Sequence, residues 1–305
     1  TTHKNLQTIA YLIIKNDSIW HESYFDGFDE NSKTNSFSMA KSIVTSALGK
    51  AIMQGKINGL DQKVKDFFPE IQGKYANDVT VGDLASMASG MEWDEKYYSP
   101  LSIVTRVYFD DDLKDIILDL KFNNKPGQFF KYSSGDTQLL GMCIEKATGK
   151  YLSDYISENF WQPMGAENEA FWQVDHEPDG IEKAFCCFAS NARDFARFGK
   201  LYLNDGRWNG NVILDSTFVK KSTSPRFENT PEYGYGWWMN TFLGKKVFYM
   251  RGHLGQFVIV IPEDEMIIVR LGHQKGVQTN ADAHSEDFYV YVKEAYEMLK
   301  QRKSK

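Results

Sequence analysis

Cysteine is scarce in this chain: three residues in 305, at Cys143, Cys186 and Cys187. Two of them are neighbours, so no disulfide framework can be read from the spacing. The set does not match a zinc knuckle either, and the expectation is three small buried hydrophobes. Histidine is thin as well, six residues with no His-x-x-x-His pair, which argues against a metalloenzyme. Positive charge is not concentrated anywhere. The formal net charge is −6 and no long basic stripe appears, so the electrostatic footprint of a nucleic-acid binder is missing. The basic run Lys300-Gln301-Arg302-Lys303-Ser304-Lys305 is short and reads as a solvated helix end. No apolar run approaches the roughly 18 residues needed to span a bilayer. There are no internal repeats and no low-complexity tracts. No charged-then-apolar leader opens the chain at Thr1, so any targeting segment is expected to be absent or already removed.

What is present is a globular composition. The chain is 42% hydrophobic, 14% aromatic and 25% charged, enough apolar residues for a sizeable core. The length suits two domains or one domain with a large insertion. Ile9 to Ile14 and Ser18 to Phe25, with Lys15-Asn16-Asp17 between them, predict a hairpin. Ser38 to Gln54 predicts a helix with a wide apolar face, therefore largely buried. Helical patterns follow at 81–88, 111–120, 137–147, 151–160 and 191–203, the last capped by Ser190 or Asn191. Tyr233 to Thr241, Lys246 to Met250, Phe257 to Ile261 and Met266 to Leu271 predict strands, with Pro262-Glu263-Asp264-Glu265 as a hairpin turn. A last helix is expected from about Ala281 to Gln301. Strands at both ends with helices between them predict an α/β (α+β) fold. Its antiparallel sheet is built from both chain termini and covered by the Ser38 helix and the final helix, with a mostly helical lobe beside it. The expected division is a sheet domain of residues 1–70 and 205–305 and a helical domain of 71–204, with the active site between them.

Three short features carry chemistry. The first is Ser38-Met39-Ala40-Lys41. On a helix, i and i+3 share a face, so the hydroxyl and the amine can meet. The first turn of a helix also favours negative charge, which suits an oxyanion at the serine and lowers the pKa of a lysine that must be neutral to act as a base. A capping serine followed by a solvent lysine would give the same letters, so this motif is weak alone. The second is Tyr132-Ser133-Ser134, after Pro126-Gly127. A catalytic tyrosine needs its pKa lowered from about 10, and Lys41 is the candidate cation. The third is His253-Leu254-Gly255-Gln256, opening a strand at Phe257. Glycine there would let a ligand approach the backbone, and a substrate carbonyl along that edge would accept the Gln256 N–H.

Together, Ser-x-x-Lys on an early buried helix, Tyr-x-Ser mid-chain and His-x-Gly on a late strand resemble the serine β-lactamase and penicillin-binding-protein superfamily. The similarity is greatest to its class C-like branch of esterases, D-alanyl-D-alanine peptidases and 6-aminohexanoate-dimer hydrolases. Val79 to Gly90, Pro126 to Gly149, Gly234 to Trp238 and Gly252 to Phe257 are similar to further segments of that branch, so the resemblance runs from about Ile9 to Leu299. It implies a β-lactamase/transpeptidase-like fold and no metal or organic cofactor. It also implies a nucleophilic Ser38, Lys41 and Tyr132 sharing the acid–base work, and an oxyanion hole made by the Ser38 and Gln256 N–H groups. Which of Lys41 and Tyr132 is the first base stays open, because coupled groups titrate as a unit. Members of the family are often exported by bacteria, so a soluble protein with its leader removed, periplasmic for instance, is an expectation.

Two positions depart from the β-lactamase pattern. Ser134 stands where those enzymes usually carry Asn, and His253 where they usually carry Lys. A hydroxyl is shorter than a carboxamide, and His is mostly neutral at pH 7. Both changes turn the expected substrate away from β-lactams and towards small-molecule esters or linear amides. Ser134, His253, Gly255, Arg251 and Trp237 are the expected substrate-binding residues, with Trp93, Trp172, Trp238 and Tyr235 as further aromatics for an acyl pocket. The alternatives are a β-lactamase or D-alanyl-D-alanine carboxypeptidase, and a non-catalytic binding or scaffold member. Oligomeric state is not legible.

Overall fold

The computed structural model describes residues 5–277 and 283–303. The chain opens with the expected hairpin, β1 (Thr8–Lys15) and β2 (Ser18–Tyr24). Asn16 and Asp17 both take positive φ, at 49° and 61°, which matches the twist of a two-residue hairpin turn. A short β3 (Thr34–Asn35) and a 3-10 turn (Phe37–Met39) lead into α1 (Ala40–Met53). The middle of the chain is mostly helical: α2 (Val81–Ala85), α3 (Ile103–Phe109), α4 (Leu113–Leu118), α5 (Ser134–Thr148) and α6 (Leu152–Ile156), which runs on into a π turn (Ser157–Trp161). Then come β4 (Phe171–Trp172), β5 (Phe188–Ser190), α7 (Ala192–Leu203), β6 (Arg207–Trp208), β7 (Asn211–Val212) and α8 (Ser216–Ser222). Four strands follow, β8 (Trp238–Phe242), β9 (Lys245–Gly252), β10 (Gln256–Ile261) and β11 (Met266–Gly272), and a last helix, α9 (Glu286–Lys303).

Local chemistry explains most of these boundaries. Thr80 and Asp83 form a reciprocal capping box at α2. Ser133 accepts the Asp136 N–H at α5, and Asn191, one of the two expected caps, accepts the Asp194 N–H at α7. α2 stops short of the expected Ala88, because Met87 takes φ 58°. α3 and α8 have no counterpart in the sequence reading. The expected start of the last helix, Ala281, lies outside the described residues, as do Ser304 and Lys305 of the basic tail.

The main sheet has the order β2-β1-β11-β10-β9-β8, every pairing antiparallel. β1 sits between β2 and β11, so both ends of the chain build one sheet. Strand alternation divides the core. Tyr11, Ile13, Phe257, Ile259 and Ile268 face α9 through Phe288, Tyr291 and Val292. Leu12, Val258, Val260, Ile267 and Val269 join a second core that continues into the helical middle of the chain. The cover on that second face differs from expectation. α7 lies directly on β10, β11 and β1, while α1 packs against α5 and its preceding turn meets β9 and β10. A helix buried on most of its circumference, as α1 is from Ala40 to Gly49, cannot be a simple sheet cover, which needs one polar face. Among the described residues no helix is long and apolar enough to cross a membrane.

Candidate active site

Ser38 lies in the 3-10 turn ahead of α1, and three contacts fix that turn. Phe37 takes φ 45°, an unusual conformation for a bulky residue. The Asn35 side chain holds it by accepting the Phe37 N–H at 2.7 Å and the Cys187 N–H at 3.2 Å. From the other side, β9 presses close. A Cβ on Gly252 would lie 2.1 Å from the Ser36 carbonyl oxygen, so only glycine lets the strand end reach the serine turn.

One turn along, Lys41 points back to the hydroxyl. Its Nζ donates to Ser38 Oγ at 3.0 Å and to the Phe185 carbonyl at 2.8 Å, and the residue is buried. Burial pulls its ammonium down to about 8, against the Glu95 carboxylate, which acts the other way. Tyr132 completes the group, its ring centroid 5.2 Å from Lys41 Nζ and its phenol beside Ser38. The ring packs on Trp238 and edge-on to Tyr233. Lys41 does not lower the phenol as expected. Burial, and then the charge of Glu95, push the Tyr132 phenol above its ordinary value, outweighing the pull of Ser38 and Arg251.

Glu95 is a member of the site that sequence reading missed. Its Oε1 accepts from Ser134 Oγ at 2.5 Å and from Tyr97, and its Oε2 from the Ser134 N–H at 2.8 Å and from Trp93 Nε1. Four neutral donors hold one carboxylate, and among the described residues no cation pairs with it. Ser134 stands in the site and lines the cleft beside Ser38, with its hydroxyl and its N–H both given to Glu95.

His253-Leu254-Gly255 forms a tight turn between β9 and β10. His253 packs edge-on to Phe37 and against Tyr97. Burial, helped by Lys275, lowers its pKa, so it carries no fixed charge at neutral pH. Gly255 lines the cleft at φ 80°, but its glycine has a different cause from the one expected. A Cβ there would sit 2.3 Å from Nη1 of Arg270, a fully buried guanidinium. Arg270 donates to the Leu254 carbonyl at 2.9 Å, the Gly255 carbonyl at 2.6 Å and the Leu6 carbonyl, holding the turn from beneath. The buried Gln256 side chain ties the same turn to β11 through the Gly272 carbonyl at 2.5 Å and the Gly272 N–H at 3.1 Å. Arg251 is aimed by two contacts. It donates to the Ala283 carbonyl at 2.7 Å and sits over Trp238, 3.7 Å from the ring centre.

A family model described as Beta-lactamase matches residues 2–289. The chain belongs to that family. The 6-aminohexanoate-dimer hydrolase of Paenarthrobacter ureafaciens is 25% identical over 287 residues, covering 87% of this chain and 72% of that protein. Among solved structures, the penicillin binding protein from Bacillus halodurans superposes with a TM-score of 0.74 at 17% identity, covering 97% of this chain and 98% of that one. EstCE1, a hydrolase with promiscuous acyltransferase activity, superposes with a TM-score of 0.73 at 15% identity, covering 90% of each chain. The chain is thus a hydrolase-family protein on the β-lactamase/transpeptidase fold, as the sequence resemblance implied.

Two further expectations for this beta-lactamase-family protein do not hold. Trp237 is fully buried and packs on Tyr202, with ring centres 4.2 Å apart, and on Phe248. It is Trp238 that lines the cleft. Neighbouring residues of extended chain point to opposite faces, and the sequence did not fix which of the pair points outward. Trp93 is buried with its Nε1 donating to Glu95, and Trp172 donates to the Lys183 and Cys186 carbonyls. The second correction concerns cysteine. Cys186 and Cys187 are joined by a disulfide, with Cys187 at φ 69°, while Cys143 is free and buried as expected. Spacing rules that look for loops cannot register a bridge between neighbours.

Proposed function

We propose that this chain is a serine hydrolase that forms an acyl-enzyme on Ser38 and acts on carboxylic esters or small linear amides. The observation that carries the reading is the 3.0 Å contact between Lys41 Nζ and Ser38 Oγ, made by a lysine whose burial brings its pKa to about 8. A lysine with that pKa is partly neutral at physiological pH and can take the serine proton. Tyr132, pushed upward, keeps its phenolic proton there and serves as the acid.

The steps balance. Ser38 Oγ bonds to the substrate carbonyl carbon as its proton passes to Lys41. The carbonyl oxygen becomes an oxyanion, held by the Ser38 and Gln256 N–H groups. The bond to the leaving oxygen or nitrogen then breaks, and that atom takes the Tyr132 proton. Lys41 returns its extra proton to Tyr132. Water next attacks the Ser38 ester, and its proton passes through Tyr132 to Lys41 and back to Ser38 Oγ as the acid departs.

Ester or linear-amide chemistry is favoured over β-lactams by two features of the site. Ser134, at the position of the family's usual Asn, is held by Glu95, and His253, at the position of the usual Lys, is kept neutral. The test is turnover of p-nitrophenyl butyrate by wild type and by Ser38→Ala. Loss of turnover in the variant supports the reading, and unchanged turnover overturns it. A fluorescent penicillin that labels Ser38 faster than the ester acylates it would instead support a penicillin-binding enzyme.

A further inference from the structure

The cleft at Ser38 divides into two arms of different chemistry. One is a cavity of about 230 Å³ walled by Val104, Thr105, Tyr108 and Phe109 of α3, with Phe185 and Cys186, and among the described residues no Asp, Glu, Lys or Arg lines it. The other, about 320 Å³, is lined by Glu95, Tyr132, Trp238, Arg251, Lys275 and Ser285. Ser38, Tyr97 and His253 line both, and Tyr132 lines only the polar one.

We propose that the apolar arm is the acyl-chain subsite and the polar arm takes the leaving group, so that the enzyme selects uncharged, chain-like acyl groups joined to a polar leaving group. This assignment of the two arms rests on the acyl-enzyme mechanism proposed above. The atom that leaves must meet the Tyr132 proton, so it departs on the arm that Tyr132 lines. The other substituent of a planar carbonyl points the opposite way, into the arm walled by α3. An ammonium or carboxylate on the acyl group would lose its water there without gaining a counter-charge. The arm opens outward past Tyr98 and Phe109, which are 86% and 72% exposed. Single exposed apolar residues need no explanation, but two at the mouth of an apolar cavity extend the surface a longer chain can cover.

The experiment measures kcat/KM of the full chain for p-nitrophenyl esters from acetate to decanoate, and for the 6-aminohexanoyl ester beside its uncharged heptanoyl counterpart. While the arm fills, kcat/KM is expected to rise roughly fourfold per methylene, from the transfer energy of a buried CH₂. The heptanoyl ester is expected to exceed the 6-aminohexanoyl ester by about a hundredfold or more. Val104→Trp, which fills the arm, should collapse the octanoate-to-acetate ratio towards one. Phe109→Ser, a change at an exposed position, should lower the decanoate-to-butyrate ratio. A flat chain-length profile in wild type, a preference for the charged acyl group, or ratios unmoved by both variants would overturn the assignment. Failure of the acyl-enzyme reading looks different, because no ester is then turned over through Ser38 at all.

Discussion

Lys41 Nζ donates to Ser38 Oγ across 3.0 Å, from a lysine only 2% exposed. Removal from water disfavours its charged form, and the charge of Glu95 opposes this. The acid–base character of the site is therefore set between one buried amine and one carboxylate bound by neutral donors.

The rate should follow the neutral form of Lys41. kcat/KM for an ester is expected to rise with pH through a midpoint near 8, the value to which burial brings this lysine. Glu95→Gln removes the charge that favours the ammonium, so the midpoint should move to lower pH. Rate–pH profiles of the two proteins test this, and a midpoint that stays or moves upward in the variant contradicts it.

Lys41→Arg keeps positive charge but cannot lose its proton at working pH. The expected fall in kcat is about 10²–10⁴-fold, the usual contribution of a general base. Activity near wild type in that variant would transfer the role of base to another group.

Gly255→Ala forces a side chain onto Arg270 at a position with φ 80°. The displaced turn carries the proposed oxyanion donor, Gln256, so kcat should fall on the order of 10²-fold. Stability should drop by more than about 1 kcal/mol, while the pH midpoint stays near that of wild type because Lys41 is untouched. Steady-state kinetics with thermal melts separate the two effects.

A half-buried carboxyl that lines neither arm of the cleft makes stability depend on pH. Burial, and then Glu182, push Glu145 up from its ordinary 4.5 to about 9. Its contribution is complete below 4.5 and is lost as pH rises towards 9, because across that window the unfolded chain ionises and the folded one holds its proton. Glu145→Gln keeps an acceptor for the Leu152 N–H, which Glu145 Oε1 now receives at 3.1 Å. The Tm difference, variant minus wild type, should therefore grow more positive from pH 5 to pH 9. A constant difference contradicts the assignment.

Much of this site was legible because its parts are local. Ser38 and Lys41 are one helical turn apart, and alternation and turn residues marked β1, β2 and the strands from β9 to β11. What escaped depends on contacts between distant segments. Glu95 is one acidic side chain among 41, and only the folded chain brings it to Ser134. Arg270 carried a readable signal, a lone charge inside the apolar run Met266–Gly272, which calls for buried partners. The choice of Trp238 over Trp237 turned on strand register, and the upward shift of Tyr132 on burial, neither of which spacing reports. α3 was missed because its helical pattern spans only two turns (Ile103–Phe109), yet it walls the apolar arm of the cleft.

The most direct test of the account is intact-mass measurement of the protein quenched during turnover of p-nitrophenyl butyrate, followed by peptide mapping. The prediction is a single added butyryl group on the peptide containing Ser38, present in wild type and absent in Ser38→Ala. Continued turnover with no added mass, or a butyryl group mapped to another residue, would contradict it.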